Sequence, residues 1–224
     1  MRTDLAPRHG YAHVALLVAS AVFVGCRSRC SIPDADRDGT IRIACLGDSR
    51  TDAHFDPNIP SWCERLPTLR PTQKCSGKAL PLTTRNYAVS GTEVTVVAFQ
   101  QEARALAPPT ADALVVAFGV NDLYLGATVE EVIVMYKALI RKGQGRPVFI
   151  ATTPPAYLGE SDNAKRLNKS IERLNETVRS TFPASRVVDF DTGFTADLYI
   201  WDGLHGSNAM EALMASRVAD ALDR

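Results

Sequence analysis

Short apolar runs alternate with stretches of helical periodicity from Ile41 to the end of the chain, and this alternation restricts the fold more than any other feature. Residues 41–46 (IRIACL), 113–118 (ALVVAF), 148–151 and 187–190 read as strands, with 83–88 as a weaker one. Between them, Thr128-Val129-Glu130-Glu131 has the spacing of a capping box, and Val132, Met135, Tyr136, Leu139 and Ile140 follow at helical intervals. Residues 161–181 set Leu167, Ile171, Leu174 and Val178 on one face. From about Ser207, Met210, Leu213, Met214, Val218 and Leu222 do the same. Residues 93–106 read as a helix ended by Pro108-Pro109. Such alternation predicts an α/β class fold, an α/β/α sandwich around a mostly parallel five-stranded sheet. Right-handed crossovers bring the loops after the strands to one edge, where ligands of such sheets bind. Chemistry is therefore sought just past each apolar run.

The 224 residues allow one domain with a sizeable core, and 46% hydrophobic with 22% charged residues is a globular composition. Lys plus Arg and Asp plus Glu number 25 each, which gives no electrostatic ground for a nucleic-acid partner. The N-terminus stands apart. Arg2 and Arg8 precede VALLVASAVFVG over 14–25, too short to span a bilayer but the length of a secretory apolar region. It ends at Gly25-Cys26, a pattern similar to a bacterial lipobox, with Phe23 where Leu is preferred. Residues 1–26 are read as an export segment with Cys26 as a lipid anchor, the one membrane attachment expected. The product would face the periplasm or the cell exterior. Ordinary cleavage after Ala19-Ser20-Ala21 and a buried N-terminal helix are the alternatives.

Residues 27–40 (RSRCSIPDADRDGT) read as a polar tether, and 41–224 as the domain. Asp34 to Gly39 imitates the first half of a calcium loop, but the twelfth position is Cys45 instead of a carboxylate, so a solvated linker and no metal are expected. Export permits disulfides. Cys63 and Cys75 flank a Pro-rich loop and are the expected pair, with Cys45 a buried thiol in its strand and Cys30 unpaired in the tether.

The first run ends in Gly47-Asp48-Ser49-Arg50-Thr51. A serine there exposes its hydroxyl at the binding edge, or else caps the next helix. It is not a G-x-S-x-G elbow, since position 51 is Thr. A serine nucleophile needs a base. Of the four histidines, His9 and His13 belong to the export segment. His54 follows Ser49 too closely to reach back easily. His205 lies in Trp201-Asp202-Gly203-Leu204-His205, where a turn brings the Asp202 carboxylate to Nδ1 and leaves Nε2 to accept a proton. Two further segments offer oxyanion donors: the Asn121 amide in Gly119-Val120-Asn121-Asp122, and the Gly91 N–H at the end of 86–91 (NYAVSG). As plain turn residues these two would need no further role.

In order along the chain, GDSR, NYAVSG, GVND and DGLH resemble the four blocks of the SGNH hydrolases, also called GDSL esterases. The resemblance covers about 41–224. It implies the family's flavodoxin-like α/β/α fold, with Ser49 as nucleophile, Asp202 and His205 completing its triad, and an oxyanion hole of Ser49 N–H, Gly91 N–H and Asn121. It implies no cofactor or metal. Thr152-Thr153-Pro154-Pro155 also looks like the family. Two positions depart from its pattern, Arg50 after the nucleophile and Ala88 where Gly is common. Arg50 points either to an anionic substrate or to a pair with Asp52 or Asp56. The expected activity is that of an exported serine esterase acting on short acyl or acetyl esters, carbohydrate-linked ones included. An acyltransferase using the same triad and a catalytically silent binding module are the alternatives. A nucleotide-binding domain is disfavoured, since no Gly-rich phosphate loop follows the first strand. Tyr124, Tyr157, Tyr199 and Trp201 lie in strand-following loops, as cleft-lining or as half-buried residues.

Overall fold

The computed structural model describes residues 30–53 and 56–224. The export segment with Cys26, and His9, His13 and His54, lie outside the described residues. Six strands form one sheet: β1 (Ile41–Gly47), β2 (Thr72–Cys75), β3 (Lys78–Asn86), β4 (Ala113–Ala117), β5 (Val148–Ala151) and β6 (Val187–Val188), in the order β2-β3-β1-β4-β5-β6. The five strands from β3 to β6 pair in parallel and correspond to the five apolar runs. The sixth corrects the expected count. β2 joins β3 as an antiparallel hairpin through Ser76-Gly77, both at positive φ. Its sequence TQKC is mostly polar because it is an edge strand, so no apolar run announces it.

β1 is buried on both faces because helices cover both. Ile41, Ile43 and Cys45 meet α2 (Trp62–Leu69) and α7 (Asn208–Leu222), while Ala44 and Leu46 meet the layer of α3 (Val94–Ala105), α5 (Val129–Lys142) and α6 (Asp162–Thr181). Thr128 and Glu131 close the capping box of α5. α6 buries Leu167, Ile171, Leu174 and Val178, the face read from its sequence.

α2 takes the place of the expected Pro-rich loop. Ser61 and Glu64 cap it reciprocally. Pro67 lies inside it and cannot donate to the Cys63 carbonyl four residues back. The Thr84 hydroxyl donates to that carbonyl instead, at 2.8 Å, so this acceptor is not left empty.

The disulfides also differ from expectation. Cys45 is bonded to Cys63, and Cys30 to Cys75. Cys45 points to the face on which α2 packs, which sets it against Cys63. Cys75, at the end of the edge strand, is left to reach Cys30. Residues 30–40 are accordingly strapped to the domain and do not form a free tether. Ile32 is fully buried in the α2/α7 core, Ser31 Oγ donates to Leu222 O at 2.8 Å, and Asp112 accepts from Ala35 N at 2.7 Å. Asp36 and Asp38 pair with the Arg42 guanidinium. No helix among the described residues is long and apolar enough to cross a membrane.

Candidate active site

β1 ends at the carboxyl edge of the sheet and turns directly into the one-turn helix α1 (Ser49–Asp52). Gly47 makes that turn possible, because a Cβ there would fall 2.3 Å from Thr51 Oγ1 and 2.8 Å from Ala117 O. Asp48 caps α1 by accepting from Arg50 N at 3.0 Å, and burial pushes its carboxyl up to about 6. Ser49 thus occupies the first helical position, where a backbone N–H has no partner within the helix.

His205 comes from a stapled turn before α7. Tyr199 and Gly206 form an antiparallel bridge, and Ile200 N donates to His205 O at 2.9 Å. Asp202 closes the turn from inside, with Oδ1 accepting from Leu204 N and His205 N, each at 2.9 Å. Its Oδ2 lies 2.6 Å from His205 Nδ1, and His205 Nε2 lies 2.9 Å from Ser49 Oγ. Gly203 has to be glycine here: at φ 68°, a Cβ would fall 2.0 Å from the Tyr157 carbonyl.

Burial lowers the His205 pKa below its usual 6.5 and outweighs the raising effect of Asp202, and the Arg50 charge adds to the lowering. Burial would raise Asp202, but hydrogen bonds from the His205 ring and from the His205 and Leu204 N–H groups prevail, and its carboxyl lies below the usual range. A neutral imidazole oriented by a carboxylate and resting on a hydroxyl is the arrangement that can take the hydroxyl's proton.

Asn121, on α4 (Val120–Tyr124), donates one amide hydrogen to Thr92 O at 3.0 Å and keeps a second to offer. The same bond anchors the 87–93 loop. Asp52 anchors it from the other side, accepting from Ser90 N at 3.0 Å and Ser90 Oγ at 2.7 Å. Gly91 lies between these two anchors at φ 75°, and among the described residues its N–H meets no acceptor. Asp122, fully buried, accepts from Val94 N and Thr95 N and so fixes the start of α3 beside the loop.

Arg50 is neither at the surface nor paired with Asp52 or Asp56. It is 4% exposed and donates to three backbone carbonyls, Leu204 O, Pro154 O and Pro155 O. The four loop aromatics separate. Tyr199 is buried and donates to Pro155 O at 2.6 Å, whereas Tyr157 and Tyr124 are exposed and Trp201, beside Asp202, is 95% exposed. A small, shallow cavity of about 20 Å³ adjoins Ser49 and His205 and is walled by Ala53, Ile59, Ile200, Gly206 and Glu211. Sequence reading missed Glu211. It lies on the core stripe of α7, in helical register with Met214, Val218 and Leu222, where an acidic side chain is not expected; it is 2% exposed and accepts from Trp62 N at 2.7 Å.

Residues 45–213 match the GDSL-like lipase/acylhydrolase family. No curated protein matches the sequence. Among solved structures, a member of the lipolytic G-D-S-L family from Veillonella parvula DSM 2008 is similar with a TM-score of 0.67 at 19% identity, over 83% of this chain and 100% of that one. A catalytic mutant of an acetylxylan esterase from Geobacillus stearothermophilus gives 0.62 at 15% identity, over 83% and 96%. An esterase from Pseudoalteromonas sp., inhibited by monoethylphosphonate, gives 0.56 at 18% identity, over 81% and 96%. At such identities the likeness is one of fold, while the family match spans most of the chain. The chain belongs to the GDSL-like lipase/acylhydrolase family and is an ester-bond hydrolase.

Proposed function

We propose that this protein is an exported serine esterase that removes short acyl groups, acetyl foremost, from small-molecule or carbohydrate esters. The observation that carries this reading is the unbroken line of hydrogen bonds from Asp202 Oδ2 through the His205 ring to Ser49 Oγ, at 2.6 and 2.9 Å. Ser49 Oγ attacks the ester carbonyl carbon while its proton passes to His205 Nε2. Asp202 stabilises the imidazolium that forms. The negative charge on the former carbonyl oxygen is met by the N–H groups of Ser49 and Gly91 and by the second amide hydrogen of Asn121. Collapse breaks the ester C–O bond, and the departing alcohol takes the proton from Nε2. Water, deprotonated by the same nitrogen, then releases the acid and restores Ser49.

The small cavity beside Ser49 supports a short acyl group. The carbohydrate preference draws on the acetylxylan esterase among the similar structures and on the exposed indole of Trp201 beside the triad. Export is supported by the uncharged run at 14–25 and by two disulfides, which persist outside the cytoplasm. Lipid attachment at Cys26 would then hold the domain at a membrane surface.

Fluorophosphonate labelling of residues 27–224, read by peptide mass spectrometry, tests the reading beside acetyl-ester turnover. Label is expected on Ser49, and Ser49→Ala should lose it together with on the order of 10⁴–10⁶ in kcat. A folded protein that neither labels nor turns over would make the domain a binding module. Acyl transfer to an added alcohol in preference to water would make it an acyltransferase.

A further inference from the structure

Arg50 follows Ser49 directly, yet its side chain runs into the protein. Nε donates to Leu204 O at 3.1 Å, one terminal nitrogen to Pro154 O at 2.6 Å, and the other to Pro155 O at 3.4 Å. These acceptors belong to two separate segments. Leu204 immediately precedes His205 in the turn before α7, and Pro154-Pro155 follow β5. Pro155 O also accepts the Tyr199 hydroxyl, from the base of the His205 turn. One planar side chain therefore ties together the helix that bears Ser49, the turn that bears His205 and the segment on which that turn rests.

We propose that Arg50 is a positioning residue that sets the Ser49–His205 distance by holding the His205 turn against α1, and that it does not bind substrate. The inference rests on the triad reading above. Only a guanidinium offers donors spread in a rigid fork over three nitrogens, so Lys cannot make the same set of bonds. Among the described residues its hydrogen bonds all go to neutral carbonyls, while the Asp48 and Asp202 carboxylates act on the buried cation only through space, opposing the effect of burial. That is an expensive way to bridge two loops, because the charge loses its hydration without gaining a directly bonded carboxylate. The charge has an effect that a neutral donor would lack. Together with burial, it opposes protonation of His205, while Asp202 favours it. Arg50 thereby helps keep the base unprotonated in the resting site. Because 4% exposure removes the side chain from solvent, it is also out of reach of an acidic substrate.

The test uses Arg50→Gln and Arg50→Lys, with kcat and KM measured across pH on one neutral and one acidic acetyl ester. His205 is titrated in parallel by NMR of its ring. Misplacing the base should cost both variants on the order of 10–100-fold in kcat, with KM changed by about threefold or less. Arg50→Gln should also move the acid limb of kcat/KM and the His205 titration to higher pH, because a positive charge near the ring has gone. Arg50→Lys, which keeps that charge, should leave both near the parent position while kcat still falls. A purely structural role would lower melting temperature without this split between the two variants. Parent-like kcat in folded Arg50→Lys and Arg50→Gln would overturn the proposal, as would a loss confined to KM for the acidic ester. If the parent itself shows no turnover, the esterase reading fails, and crystal structures still decide: an unchanged Ser49–His205 distance and an unmoved His205 turn in Arg50→Lys and Arg50→Gln overturn the inference, and a displaced turn sustains it.

Discussion

Asn121 does two things with one amide group. One hydrogen goes to Thr92 O at 3.0 Å, which locks the side chain and fixes the loop that carries Gly91. In the proposed mechanism the other meets the negative charge that develops on the ester oxygen. A donor fixed before the reaction needs no reorganisation during it, and this is why a single hydrogen bond here outweighs an ordinary one. Asn121→Ala should lower kcat by about 10²–10³ with a much smaller effect on KM, the scale of one lost oxyanion donor. Steady-state kinetics on a soluble acetyl ester measures it. A loss of tenfold or less would place the oxyanion contact elsewhere, with the Gly91 and Ser49 N–H groups as the remaining donors.

Among the elements, α2 shows how tertiary partners stabilise a segment that local signals leave open. Its N-terminus is satisfied by Ser61, by Glu64 and by Glu211 from α7, and the carbonyl freed by Pro67 is taken by Thr84. The Cys45–Cys63 bond joins it covalently to β1, four residues before Ser49, with a sequence separation of 18. Closing a loop of that length restricts the unfolded chain, and removal should cost ~3 kcal/mol. Cys45→Ala/Cys63→Ala should therefore show a lower urea midpoint with a somewhat steeper slope, because the unfolded chain expands once the cross-link is gone. An unchanged midpoint would mean that the bond is not formed in the oxidised protein. Because β1 also leads into Ser49, the proposed nucleophile, turnover measured well below the midpoint separates a loss of stability from a displaced site.

At the scale of the whole molecule, buried carboxyls make stability depend on pH. Burial raises Glu211 from 4.5 to about 8, more than its bond from Trp62 N lowers it. Between those two values the folded state keeps a proton that the unfolded state has released, so stability falls as pH rises through the window. Glu211→Gln removes this penalty and keeps an oxygen to accept from Trp62 N. It should gain on the order of a few kcal/mol at pH near 8 and nothing at pH near 4, read as melting temperature at both. Equal gains at both would show that the carboxyl is ionised in the fold or that packing, not protonation, dominates. Asp189 acts in the opposite direction. Hydrogen bonds from Thr192, Asp191 and Arg179 outweigh its burial and lower it to about 2, so its contribution is present above 3.8 and lost as pH falls towards about 2.

The amino-acid sequence by itself determined what is local or periodic. Burial on both faces makes β1, β4, β5 and β6 continuous apolar runs that could be read directly, whereas β3, largely exposed with only Leu82 buried, gave the weaker signal. Helical spacing gave the core faces of α6 and α7 and most of that of α5, where Ile133 is buried in place of the expected Ile140, which is exposed. Asp202 and His205 stand three residues apart, so a single turn brings them together. Ser49, Gly91 and Asn121 all follow strands, so the rule for the carboxyl edge gathers them without knowledge of any contact. What the tertiary structure decided were meetings between distant faces. The cysteine pairing depended on which side of β1 receives α2, and 30–40 became a strap only through Ile32 in the core and the bond to Cys75. Arg50 is a charged residue whose burial no local pattern signals, because its partners lie 104 to 154 residues away, and what receives the Glu211 carboxyl on the core stripe of α7 is Trp62 N, 149 residues away. A charge in the interior is tolerated only where the assembled fold supplies its hydrogen bonds, and those are made by segments that meet only once the chain has folded.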